Sequence, residues 1–167
     1  MRRIIALSML LCLAAANVAA AQDPGIFAQG RKRVGIYGGL GSSFGNDYGI
    51  VGGGLGYYVA DGLEAGLDFE TWFGNSPSVN KLTPQLRYVF WQADPVKPYV
   101  GAFWRHTWLG GGWPDYDSWG GRAGIAYRSG RNYLAVGVVH ERYIDNDELT
   151  FADDSDTYPE VAFWIAF

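Results

Sequence analysis

The stretch that decides the fold is Tyr158-Pro159-Glu160-Val161-Ala162-Phe163-Trp164-Ile165-Ala166-Phe167. Val161, Phe163, Ile165 and Phe167 fall on one side of an extended chain, and Glu160, Ala162, Trp164 and Ala166 on the other. Alternation of period two over this length specifies a β-strand with two chemically different faces. Left at the edge of an open sheet, such an apolar strand is a template for aggregation. Pairing it with the first strand of the chain closes the sheet and removes the edge.

Alternating segments of similar length precede it, at 33–42, 48–59, 62–73, 80–91, 97–108, 118–128 and 131–143, with the last at 157–167. Asp61-Gly62, Ala93-Asp94-Pro95 and Ser129-Gly130 mark short turns; 43–47, 74–79, 109–117 and 144–156 read as longer connections. The expected fold class is all-β, an eight-stranded antiparallel up-and-down barrel. Ahead of the strands, Arg2 and Arg3, the apolar run from Ile4 to about Ala16 and the small residues Ala19-Ala20-Ala21 read as a secretory leader. The expected division is therefore 1–21 signal peptide and 22–167 barrel, with strands from about residue 33. Loss of the leader removes Cys12, the only cysteine, so disulfides play no part. It also takes the formal charge from −4 to −6, which argues against nucleic acid as a partner.

The polarity of the two faces separates a soluble barrel from a transmembrane one. Leu63, Ala65, Leu67, Phe69 and Phe73 oppose Glu64, Asp68 and Glu70, while Leu82, Leu86, Tyr88 and Phe90 oppose Lys81, Gln85 and Arg87. Val100, Ala102, Trp104 and Trp108 oppose Arg105; Ala123, Ile125 and Tyr127 oppose Arg122; Leu134, Val136 and Val138 oppose Glu141. The charged positions share their parity with Gly35, Gly39, Gly41, Gly52, Gly54 and Gly56. Glycine presents no side chain to lipid and makes room for others inside, so this parity is assigned to the lumen. The apolar face then meets lipid, as in a transmembrane β-barrel. Tyr57, Phe90, Tyr127 and Phe167 near one end, with Phe73 and Trp108 near the other, match the aromatic girdles at the two membrane interfaces.

Inside, Glu64, Asp68, Glu70, Glu141 and Glu160 stand against Lys81, Arg87, Arg105 and Arg122. An isolated buried charge costs several kcal/mol, so these groups are expected to pair. A hairpin centred near residues 76–77 sets Asp68 beside Gln85 and diagonal to Arg87. The expected result is an ion-pair network that closes the lumen; the alternative is a narrow conduit for ions or small solutes. The two histidines, His106 and His140, are assigned to the outer face, and no nucleophile–base–orienter set is visible, so no catalytic residue is assigned. Gly52-Gly53-Gly54-Leu55-Gly56 lacks the helix that a nucleotide fingerprint needs. The acidic stretch Asp145, Asp147, Glu148, Asp153, Asp154 and Asp156 lacks the calcium-loop pattern, and solvated charge is expected there. No metal and no cofactor are expected.

With these features together, the chain resembles the small eight-stranded outer-membrane barrel proteins of Gram-negative bacteria, such as outer membrane protein X and the transmembrane domain of outer membrane protein A. The resemblance implies a place in the cell outer membrane among lipid and lipopolysaccharide, with a structural or interaction role. It also implies that Val161, Phe163, Ile165 and Phe167 form the signal read by the barrel-assembly machinery. The even strand count and the short turns put both termini on the periplasmic side, and a monomer is expected. Some barrels of this kind are lipid A deacylases with a His-x-Ser pair; His106-Thr107-Trp108 and His140-Glu141-Arg142 lack the serine, so an enzyme is the third reading.

Overall fold

Two-residue alternation along the chain resolves into β1 (Lys32–Ser43), β2 (Asn46–Ala60), β3 (Leu63–Phe73), β4 (Val79–Val89), β5 (Val96–Leu109), β6 (Tyr116–Ser129), β7 (Asn132–Ile144) and β8 (Ser155–Ala166). All neighbours are antiparallel, and the sheet closes on itself in chain order. The computed structural model describes residues 24–43, 45–144 and 154–167. The expected leader and Asp145, Asp147, Glu148 and Asp153 of the acidic stretch lie outside the described residues.

Both ends of the described strands meet at one rim, where Lys32 and Phe167 exchange backbone hydrogen bonds of 2.9 Å in each direction. The Asp61-Gly62 turn belongs to this rim, with Gly62 at φ 76, a region that disfavours a Cβ. The opposite rim carries the longer connections after β3, β5 and β7. The connection between β1 and β2 departs from the expected longer stretch at 43–47. Ser43 faces Asn46 directly, and Gly45 at φ 72 makes the tight reversal possible.

A second departure concerns register. Asp68 faces Thr83 and Glu64 faces Arg87, so the β3–β4 hairpin is displaced by two residues from the expected pairing of Asp68 with Gln85. A shift of two keeps every side chain on its face and changes only its partners. The outer wall is accordingly apolar, with Ile36, Leu55, Phe69, Leu86, Ile125 and Val161 uncovered by protein. Tyr57, Tyr127 and Phe167 ring the rim of the termini, and Phe73 and Trp108 the opposite one.

The segment before β1 has a role that alternation could not reveal. A single 3₁₀ turn at Gly25–Phe27 buries Ile26 and Phe27 in the barrel mouth. The Phe27 ring lies 5.9 Å from that of Tyr58 and 5.6 Å from that of Tyr133. Gly62 N–H donates to the Phe27 carbonyl at 2.8 Å, and Tyr58 N–H to the Arg31 carbonyl at 2.9 Å, so the segment is tied to the β2–β3 turn. Val89, Trp91, Tyr99 and Trp164 extend this apolar layer.

Candidate functional site in the barrel lumen

Above the apolar layer, Glu64 sits between two guanidinium groups. Arg87 Nη2 donates to its two carboxylate oxygens at 3.0 and 3.1 Å, and Arg33 Nε donates to Oε1 at 2.8 Å. Arg33 and Glu64 are 0 % exposed and Arg87 1 %, so water does not screen the triad. The Arg33 guanidinium also lies 3.3 Å from the Trp164 ring centroid, where the ring face attracts a cation. The glycine wall makes this crowding possible. A Cβ on Gly56 would run into the Glu64 carboxylate, one on Gly54 into that of Asp68, and one on Gly35 into the Trp164 ring.

Asp68 occupies the next level. It accepts from Gln85 Nε2 at 2.5 Å and lies 3.6 Å from Arg33 and 3.9 Å from Arg122. Arg122 reaches Glu160 at 3.0 Å. Further toward the loop rim, Arg105 donates to Glu141 at 2.5 Å, to Tyr158 Oη at 2.8 Å and to Thr83 Oγ1 at 3.0 Å. Ser118 donates to the other Glu141 oxygen. Lys81 stands 3.6 Å from Glu70 and 4.0 Å from the Trp72 ring centroid.

The parity of the sequence thus carries all nine named residues inward and keeps Gln85 with Asp68, but gives Arg87 a different partner. Arg87 is bound to Glu64 rather than Asp68, because the hairpin is displaced by two residues. Arg33 was missed altogether. Its signal was present: it shares the parity of Gly35, and the nine residues leave one carboxylate without a cation. With Arg33 the named set, counted among the described residues, comes to five cations and five carboxylates, the balance a low-dielectric interior demands. Val161, Phe163, Ile165 and Phe167 are all uncovered on the outer wall.

Side chains do not fill the whole barrel. A cavity of about 400 Å³ remains in the loop-side half, bordered by Asp68, Arg105, Arg122, Glu160, Tyr37 and Trp164. Asp68 Oδ1, Arg122 Nε and Trp164 Nε1 are buried without a hydrogen-bond partner among the described residues.

Both histidines lie on outward positions near the loop rim. His106 Nδ1 is 2.6 Å from Asp117 Oδ1, and its ring stands between Trp104 and Trp108, at 6.0 and 4.6 Å. His140 Nδ1 is 2.9 Å from Thr157 Oγ1. These are cross-strand neighbours, invisible to a search along one strand. One histidine has a carboxylate and the other a hydroxyl; they sit on different strands, and the described contacts do not join them into one set.

The fold has recognisable counterparts among solved structures. The N-terminal β-barrel domain of Pseudomonas aeruginosa OprF is similar with a TM-score of 0.56 and 17% identity, over 83% of this chain and 98% of that one. Neisserial surface protein A is similar with a TM-score of 0.55 and 17% identity, over 81% of this chain and 94% of that one. No protein-family model and no curated protein matches the sequence. The chain has the eight-stranded barrel fold of small outer-membrane proteins.

Proposed function

We propose that the protein is an integral outer-membrane barrel with a structural or interaction role, both termini periplasmic, and a lumen that passes no ions. The observation that carries this reading is the Arg33–Glu64–Arg87 triad, sealed from water and set against the Trp164 and Tyr99 rings of the buried aromatic cluster. Ion passage would require breaking that triad and moving the rings below it. The apolar outer wall and its two aromatic girdles support membrane insertion. The wall would be surrounded by outer-membrane lipid and lipopolysaccharide, and the barrel would act as a monomer without catalytic activity.

A narrow channel is the second reading, favoured by the polar cavity that reaches the lumen from the loop side. Planar-bilayer recording of the refolded barrel separates the two. Silence across ±100 mV (roughly the range where a charge gains 2.3 kcal/mol) is the expected result. Reproducible unit steps from the unaltered protein would replace the first reading with the second.

A further inference from the structure

The rim of the termini carries a second recess, of about 330 Å³, where three distant parts of the chain meet. Gly25 and Arg31 border it ahead of β1, Arg128, Gly130 and Arg131 around the β6–β7 turn, and Phe167 after β8. Its charged side chains are all guanidinium groups. None of the three makes an ion pair among the described residues, and no acidic side chain lines the recess. Two acidic side chains of the same rim are engaged elsewhere: Asp61 accepts from Gln29 N–H at 2.8 Å, and Asp94 from Lys97 Nζ at 3.0 Å. The Phe167 carbonyl oxygen accepts from Lys32 N–H at 2.9 Å. Arg128 is fixed in position, because its Nε donates to the Gly130 carbonyl at 3.1 Å and a Cβ on Gly25 would lie 2.9 Å from its Nη1.

A fourth cation ties this recess to the outer wall. Lys32 has the outward parity of Val34 and Ile36, and faces Tyr57 on β2 and Phe167 across the β1–β8 backbone bonds. It is exposed between two girdle rings and has no ion pair among the described residues. A lysine so placed keeps its stem on apolar surface and its ammonium at the depth of the lipid head groups.

We propose that the recess binds the phosphate of an anionic glycerophospholipid, phosphatidylglycerol, in the leaflet around the rim of the termini. The inference rests on the membrane reading above. Guanidinium groups grip phosphate or carboxylate oxygens in pairs, and at girdle depth the anion present all round is the lipid phosphate. With no acidic side chain in the lining, the ammonium of a zwitterionic head finds no counter-charge, whereas an anionic head meets three guanidinium groups. The Phe167 ring borders the recess and is exposed on the outer wall, so the acyl chains of the occupant leave along Phe167 and Ile165 into the bilayer. A soluble anion would leave that apolar edge and Lys32 unused.

The test uses the mature barrel refolded in maltoside micelles and titrated by calorimetry. The probes are short-chain phosphatidylglycerol, short-chain phosphatidylethanolamine and, as the head alone, glycerophosphoglycerol. Saturable binding of phosphatidylglycerol is expected, roughly tenfold tighter than that of phosphatidylethanolamine, since each basic residue at a membrane surface is worth about fivefold for an anionic lipid. Arg31→Gln with Arg131→Gln should bring the two lipids level. Arg131→Gln alone, on an exposed turn, should weaken phosphatidylglycerol about fivefold. Arg142→Gln removes an exposed arginine at the opposite rim and should change nothing. Equal affinity for the two lipids overturns the site, as does a preference that survives the double substitution or falls equally in Arg142→Gln. Glycerophosphoglycerol binding as tightly as the lipid overturns it in favour of a soluble anion. Asp23 precedes the described residues; a preference that emerges only in Asp23→Asn would make the chain's own carboxylate the occupant and overturn the proposal. Heat-modifiable gel mobility and insertion into phosphatidylcholine liposomes report the membrane reading separately. A barrel that inserts and shows no preference sinks the site alone.

Discussion

The two halves of the lumen are built on different principles. Toward the rim of the termini, Phe27, Tyr58, Tyr133, Trp91 and Trp164 share one buried cluster, and the Arg33–Glu64–Arg87 triad closes over it with no solvent contact. Toward the loop rim, the same strands carry Glu70, Lys81, Arg105 and Glu141 around a cavity of about 400 Å³. Charges in the first half are held by exclusion of water, and those in the second by one another and by space that water can enter. Ion pairs with similar distances should therefore differ in strength, because the effective dielectric around them differs.

The largest effect is expected in the dry half. Arg87→Ala leaves Glu64 with Arg33 alone, and should cost about 3–5 kcal/mol, the usual penalty for stranding one member of a buried pair. Urea unfolding of the refolded barrel, in a double-mutant cycle with Glu64→Ala, should return a clear favourable coupling. A coupling near zero would mean that water reaches the triad, and the contrast between the halves would collapse. Phe27→Ala comes next, at about 1.5–3 kcal/mol for the loss of one buried aromatic side chain. Because the triad lies above it, this variant should remain silent in a planar bilayer; conductance in it would assign the seal to the rings instead.

Gly54→Ala tests the glycine wall. Its Cβ would overlap the Asp68 carboxylate, so roughly 1–3 kcal/mol of overpacking cost is expected. Gly53→Ala, whose Cβ meets only the Gly35 carbonyl oxygen at 3.2 Å, should stay within about 0.5 kcal/mol as ordinary surface substitutions do. Equal effects at both positions would show that crowding in the lumen is not what selects glycine there. A small coupling is expected for Lys81 with Glu70 on the cavity wall, where the separation is 3.6 Å and the Glu70 side chain is 16 % exposed, at about 1 kcal/mol or less. A coupling as large as that of Arg87 with Glu64 would make the two halves electrostatically alike.

The inward and outward faces were legible residue by residue, and the segment bounds fell close to those of the strands. Lys81, Arg87, Arg105 and Glu141 were assigned inward from their neighbours' polarity, and each side chain is buried in the lumen. Arg33 was obscured by its position in the basic run Arg31-Lys32-Arg33, which reads as a rim. Its parity and the missing positive charge were the two signals by which it could have been found. His106 with Asp117 and His140 with Thr157 could not be found this way, because each contact joins two strands whose relative register had not been established.

By itself, the sequence determined which residues form strands and which face of each strand meets the lumen. Both follow from the period-two geometry of an extended chain and the partition of side chains between apolar and polar surroundings, which are local properties. Only the tertiary structure decided who pairs with whom. A two-residue slip leaves every face unchanged, so alternation cannot distinguish Glu64 from Asp68 as the partner of Arg87. It likewise decided that Phe27 folds back into the barrel mouth, since that depends on contacts between segments far apart in the chain.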